Sequence, residues 1–466
     1  MTTKDTKITE AVAGFVAEAT FNDFPAEAVR IAKRCVLDGL GLILAGSAQD
    51  CARIIREFSL SSCQGSGATA FGQDPVKLPA AHAALVNGTA GHAMDWDDTQ
   101  LSTTPDRTFG LLTHPTIPPL AASLAVAESR GGVSGREFLT AFVTGFEAEC
   151  KIAEAIRPEH YENGFHSSGT AGTFGAAAAA AKLIGLDRAQ LGNLLGMAAS
   201  MASGIRVNFG TMTKPLHVGR AAQNGVTAAL LARGGYEADP EGLDGPWGYF
   251  QVFGRGVDTE RIVDKLGRPY SIVEPGVSVK PYPCGSLTHP SMDAMRAVVL
   301  DNDLKPDDIR EVVLYAGNNI LNPIRYTSAE NELEAKFCMP FLLAAITISR
   351  KAGVQEFTPA FVHAPAVKAL MPRIRTQFDP AIEAKGYDKM RSRVEVTLKD
   401  GRTLVRDADD RYRGGPENPL SDAELIEKFT DCSRALLDDS TRGAIVKTVF
   451  ELESLPDMDA LISQLI

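Results

Sequence analysis

The sequence predicts a mainly α protein in which a discontinuous helical domain carries an inserted, smaller α+β domain. Apolar residues recur at helical spacing through most of the first 268 positions, β-rich runs around an Asp-Gly turn appear only afterwards, and helical patterning resumes beyond Asp407. A chain of 466 residues accommodates two large domains or three ordinary ones. The texture changes place the helical domain at residues 1–268 and 406–466 and the α+β domain at 269–405.

The first long helix is announced by Pro25-Ala26-Glu27 and continues through Ile31, Val36, Leu37, Leu40 and Leu44 to Gly46. Further helices are expected at 115–130, 135–157, 170–185, 188–203 and 217–234. Ser134-Gly135-Arg136-Glu137 is a capping box for the second of these, and Arg157-Pro158 closes it because the residue before proline avoids helical geometry. The run Ala176–Ala181 favours helix and permits close packing. In the α+β segment, Glu311–Tyr315, Val394–Leu398 and Thr403–Val405 read as strands, the last two joined through Lys399-Asp400-Gly401-Arg402. Helices are expected there at 288–301, 333–350 and 364–372, and Ser421-Asp422-Ala423-Glu424 starts the C-terminal helices.

A net charge of −11 opposes binding to nucleic acid or to an anionic membrane surface, so an anionic ligand must be met by local cations. No apolar run approaches the roughly 18 residues of a membrane span, and no apolar leader follows Met1, which points to a soluble, cytoplasmic protein. Seven cysteines without a CxxC pair read as reduced thiols.

Chemistry concentrates in His92-Ala93-Met94-Asp95-Trp96-Asp97-Asp98-Thr99, followed by Thr113-His114-Pro115. Carboxylates packed around a tryptophan need partners, because burying them unpaired is costly. Three more segments set polar residues beside glycine, proline or serine: Gly164–Gly169 around His166, Lys214–Gly219 with His217, and Lys280–Gly285. His114 and His166 are acid/base candidates, Lys214 and Lys280 are carboxylate clamps, and Asp95 orients an imidazole or shares in proton transfer. Asp97 and Asp98 also fit helix caps, and His217 also fits a helix start. Gly65–Ala70 lacks the strand and helix of a dinucleotide fingerprint, and Gln100 and Asp106 break the EF-hand pattern begun by Asp95. Neither HExxH nor GxSxG occurs.

In order and content, these segments resemble the MmgE/PrpD family from about residue 8 to about residue 450, most specifically in Asn87–Thr99, Gly164-Phe165-His166 and Lys280-Pro281-Tyr282-Pro283. The resemblance implies a large all-helical domain with a smaller α+β lid domain, a homodimer, and a site between the domains that needs neither metal nor organic cofactor. It puts Asp95, Thr99, His114, His166, Lys214 and Lys280 in that site. The substrate it implies is a small di- or tricarboxylate. Gln100 stands where the family's dehydratase and decarboxylase patterns carry Trp, and Phe341 aligns with a decarboxylase Tyr. On these departures the expected activity is epimerisation of an iminodicarboxylate such as iminodisuccinate, by proton abstraction next to a carboxylate. The competing expectations are a dehydratase or decarboxylase acting on a tricarboxylate, and a non-catalytic dicarboxylate-binding protein.

Overall fold

The computed structural model describes residues 8–101 and 111–466. Its chain divides into two compact units, one comprising residues 8–101, 112–277 and 423–466, the other residues 278–422. The sequence reading put the boundaries at 268/269 and 405/406. The later position of the second has a local cause: residues after the last strand fold back onto the start of their own unit. Tyr412 Oη lies 2.5 Å from Ser278 Oγ, and Gly414, at φ +85°, packs on the Val279 carbonyl where a side chain would collide.

The first unit contains α1 (Ile8–Glu18), α2 (Ala26–Gly46), α3 (Asp50–Ser62), α4 (Ala80–Ala93), α5 (Ile117–Arg130), α6 (Gly135–Ala155), α7 (Glu159–Glu162), α8 (Ser167–Ile184), α9 (Arg188–Met201), α10 (Thr213–Arg233) and α11 (Tyr249–Gly254). The helix Asp439–Phe450 returns to pack on α2. The expected capping box forms at α6, where Ser134 N donates to Glu137 Oε2 at 2.9 Å and Glu137 N donates to Ser134 Oγ at 3.3 Å. α8 begins three residues before its expected start, and its alanine run is wholly buried. α1, α3 and α4 were not read from the sequence; α4 is buried along nearly all its length and has no amphipathic stripe to reveal it.

Small residues set how closely the helices approach. A Cβ on Gly219 of α10 would come within 2.5 Å of the Leu85 carbonyl of α4, and one on Gly175 of α8 would come within 2.5 Å of Glu149 Oε2 of α6. The unit is not purely helical. Ala68–Ala70 and Val76–Leu78 form an antiparallel pair, and the Asn87 amide accepts from Phe71 N at 3.0 Å and donates to the Thr69 carbonyl at 2.8 Å.

The second unit holds a four-stranded sheet in the order Ile374–Phe378, Ile309–Ala316, Ser392–Leu398, Thr403–Asp407, of which the first pair is parallel and the others antiparallel. Ser392, Val394, Val396 and Leu398 alternate inward, and the helix α12 (His289–Asp301) covers this strand, with Ser291 Oγ 2.7 Å from Ser392 Oγ. Gly401, at φ +92°, makes the expected hairpin turn. The edge strand Ile374–Phe378 escaped the sequence reading because only Ile374 of its five residues is buried. The expected helix at 333–350 is two, Glu332–Ala335 and Met339–Ser349. Among the described residues, no helix is long and apolar enough to cross a membrane.

Candidate active site

Four helix ends assemble a buried polar cluster in the first unit. α4 and α10 run antiparallel past the Gly88–Gly219 contact, so His92 in the last turn of α4 meets Lys214 in the first turn of α10. His166 is the N-cap residue of α8, and His114 lies two residues before Thr116, the N-cap of α5. The N-termini of α5, α8 and α10 carry partial positive charge and favour an anion.

Lys214 Nζ donates to Asp95 Oδ1 at 2.8 Å and to His92 Nε2 at 3.0 Å. His92 Nε2 therefore offers a lone pair, its Nδ1–H donates to Asp97 Oδ2 at 2.7 Å, and the chain Lys214–His92–Asp97 fixes the tautomer of a neutral imidazole. Desolvation is the first cause that holds His92 below its ordinary value, with Lys214 adding to it against the opposing pull of Asp97. Asp97 Oδ2 also lies 3.6 Å from His114 Nδ1, which donates to the Asp98 carbonyl at 2.8 Å. Asp98 accepts from Thr116 N at 3.2 Å and Thr116 Oγ1 at 2.6 Å, just ahead of α5, and burial pushes its carboxyl up to about 7. Asp95 has φ +52°, in the left-handed region that aspartate tolerates better than most residues.

The imidazoles of His92, His114 and His166 gather closely, with ring centroids 4.8 Å apart for His92–His114 and 5.7 Å for His92–His166. His166 Nδ1 lies 3.0 Å from His217 Nδ1, whereas among the described residues the fully buried His166 Nε2 has no hydrogen-bond partner. Desolvation first, then the Lys214 ammonium, drives His166 well below its usual range, and burial takes His217 down to about 4. Phe209 closes one side, edge-on to His166 and 5.4 Å below Lys214 Nζ. Ligating atoms of the three histidines lie within 4.8 Å of one another. Both nitrogens of His92 are already engaged, however, so this imidazole would have to give up Asp97 or Lys214 to bind a metal ion.

Of the residues singled out in the sequence, Asp95, His114, His166, Lys214 and His217 come together, and Thr99 is fully buried at the end of the same loop. Lys280 belongs to the second unit, where it is 1% exposed. Asp97 binds the His92 imidazole and lies 3.6 Å from that of His114. Asp98 is not an N-cap residue; its carboxyl accepts from the N–H and hydroxyl of Thr116, the N-cap of α5. His217 lies within α10 and also holds His166. His92 and Asp97 were missed as site residues, although the five-residue spacing across a helix end was the available signal. Gln100 donates to the Ser271 carbonyl at 3.2 Å, and Phe341 packs edge-on against Phe357 in the core of the second unit.

The chain matches the MmgE/PrpD N-terminal domain over residues 10–262 and the MmgE/PrpD C-terminal domain over residues 282–452. Similar proteins include cis-aconitate decarboxylase of Homo sapiens, 29% identical over 97% of this chain and 93% of that protein. The cis-aconitate decarboxylase of Mus musculus is 28% identical over 97% and 92%, and that of Aspergillus terreus is 24% identical over 98% and 96%.

Proposed function

This chain belongs to the MmgE/PrpD family, and on that premise we propose that it is a lyase that decarboxylates an unsaturated tricarboxylate of the cis-aconitate type, using side-chain groups alone. The observation that carries this reading is a buried ammonium, Lys214, paired with Asp95 and set among largely uncharged imidazoles at three helix N-termini, so that a cation and proton carriers stand side by side. The activity named for its full-length relatives supports a lyase over the epimerase expected from Gln100 and Phe341.

The chemistry follows from what such an arrangement does. Lys214 and the helix N-termini hold substrate carboxylates. The carbon–carbon bond to the departing carboxylate on the saturated methylene breaks, and its electron pair forms a new terminal double bond. The original double-bond pair moves to the carbon beside another carboxylate, which takes up one proton; CO2 leaves. Charge stabilisation of this dienolate-like state is the task of the ammonium and the helix ends. His166, whose buried Nε2 has no hydrogen-bond partner among the described residues, or His114 delivers the proton. Burial and the Lys214 ammonium keep His166 neutral, and a polyanion that offsets the field of Lys214 raises its proton affinity, so substrate binding itself arms the acid.

Proton NMR in D2O with cis-aconitate, 2-methylcitrate and iminodisuccinate, each tested separately, decides among the readings. The expected result is CO2 and a methylene-bearing dicarboxylate from cis-aconitate, with one deuterium on the protonated carbon. Deuterium entry and inversion in iminodisuccinate with cis-aconitate inert would restore the epimerase, and water loss from 2-methylcitrate alone would make it a dehydratase.

A further inference from the structure

The segment Met94–Thr99 carries Asp95, Asp97 and Asp98 but lies outside any helix, so its backbone is held by contacts rather than by a hydrogen-bond ladder. Each carboxylate binds at its own side chain. Between Asp95 and Asp97, the Trp96 carbonyl accepts from Lys428 Nζ at 2.8 Å. Lys428 comes from the helix Asp422–Ser433, more than three hundred residues away in sequence, and is 6% exposed. The same ammonium lies 2.7 Å from Asp38 Oδ1 of α2 and 5.0 Å from the Trp96 ring centroid. One buried cation thus ties together α2, the C-terminal helix and the peptide between two site carboxylates.

We infer that Lys428 is a positioning residue for the reaction: by holding the Trp96 carbonyl it fixes the directions in which Asp95 grips Lys214 and Asp97 grips His92. The inference rests on the decarboxylase reading for its kinetic consequence. Rotation of the Trp96–Asp97 peptide turns Asp97 away from His92 Nδ1, releasing the tautomer that presents a lone pair to Lys214, and displacements of about 1 Å in such arrangements cost on the order of 100-fold in rate. Asp38 plays the opposite part. It neutralises Lys428, and if left alone it is a buried carboxylate close enough to Asp97 for the two to repel.

Three variants separate position from charge. Lys428→Met removes the bond to Trp96 and orphans Asp38; Asp38→Asn with Lys428→Met removes the bond but no longer leaves a charge; Lys428→Arg keeps a cationic donor. For decarboxylation of cis-aconitate, the expected result is a kcat lower by about 10- to 100-fold in both Met variants with KM changed by less than about threefold, and recovery of most of the kcat in Lys428→Arg. Nitrogen-15 NMR of the imidazoles is expected to show a single Nδ1–H tautomer at His92 in wild type and a tautomer mixture in the double variant. A folded double variant with wild-type kcat and an unchanged His92 tautomer overturns the inference. Should the wild type be inert toward cis-aconitate, the proposed activity fails, and the His92 tautomer alone then decides the role of Lys428. If Lys428→Met does not fold, the charge-balanced double variant and Lys428→Arg supply the same decision.

Discussion

The Nδ1 atoms of His166 and His217 face each other at 3.0 Å, a contact that holds one hydrogen and therefore excludes a doubly protonated pair. Burial and the nearby Lys214 keep both imidazoles below their ordinary value of 6.5, His217 at about 4. Between those values the unfolded chain binds protons that the folded chain refuses, so this pair makes stability fall as pH drops from about 6.5 toward 4. Asp98, raised to about 7, acts in reverse and loses stability as pH rises from about 4 to 7. His217→Gln removes one depressed imidazole. Urea unfolding at pH 7, 5.5 and 4.5 is expected to show a smaller acid loss in this variant than in wild type; an equal or larger loss counts against the neutral-pair assignment.

Burial and Lys214 keep His166 uncharged, and under the proposed function a tricarboxylate offsets Lys214, so binding is expected to take up protons near neutral pH. Calorimetric titration of cis-aconitate into the protein in buffers of different ionisation enthalpy measures that uptake directly. Wild type is expected to absorb a substantial fraction of one proton and His166→Asn to absorb less. Identical uptake in the two would move the acid to another group, His114 first.

Under the proposed function, Lys214 is the cation that meets the anionic substrate. Lys214→Met is expected to lower kcat/KM for cis-aconitate by about 100-fold or more, with KM rising as well, since the ammonium serves both the bound substrate and the charge that develops during the reaction. A change confined to KM would show that Lys214 only binds. Asp95 loses the Lys214 ammonium in this variant, so thermal unfolding should be measured alongside.

Much of this arrangement was legible in the sequence, for reasons that differ by element. The capping box at Ser134 and the Asp400-Gly401 turn are local chemistry and formed where expected. The site residues announced themselves as polar groups set among glycine and proline. The helix Ala80–Ala93 did not, because burial on nearly all sides erases helical periodicity. His92 and Asp97 were passed over because their roles depend on Lys214, more than a hundred residues away, reaching His92 from another helix. Gln100 and Phe341 suggested an epimerase by substitution alone; in the structure, Gln100 binds a backbone carbonyl and Phe341 packs in an aromatic core.

Asp97 tests the tautomer argument. Asn keeps the size but can turn an amide donor toward His92, which then favours hydrogen on Nε2, directly opposing the Lys214 ammonium. Asp97→Asn is expected to reduce kcat by about 10- to 100-fold with the fold intact, the scale for displacing a positioned group, here Lys214 through His92. Near-native kcat in a folded Asp97→Asn protein would falsify the relay from Lys214 through His92.

Glu149 provides the contrasting case of a buried carboxyl beside the site that needs no charge. It is fully buried, its Oε1 accepts from Thr113 Oγ1, and desolvation, helped by Asp98 and Asp97, pushes it well above the carboxylate range. Burial therefore favours its neutral form, and Gln reproduces the shape of that form without a charge. Glu149→Gln is expected to keep kcat within about threefold of wild type at pH 7 and to cost no more than about 1–3 kcal/mol in stability, the range for one imperfectly satisfied buried polar group. Glu149→Ala, by contrast, opens a cavity against Gly175 and strips Thr113 of its acceptor. A large loss of kcat in Glu149→Gln, with the melting temperature preserved, would show that the carboxyl proton itself enters the reaction, and would extend the proton path from His114 through Thr113 to Glu149.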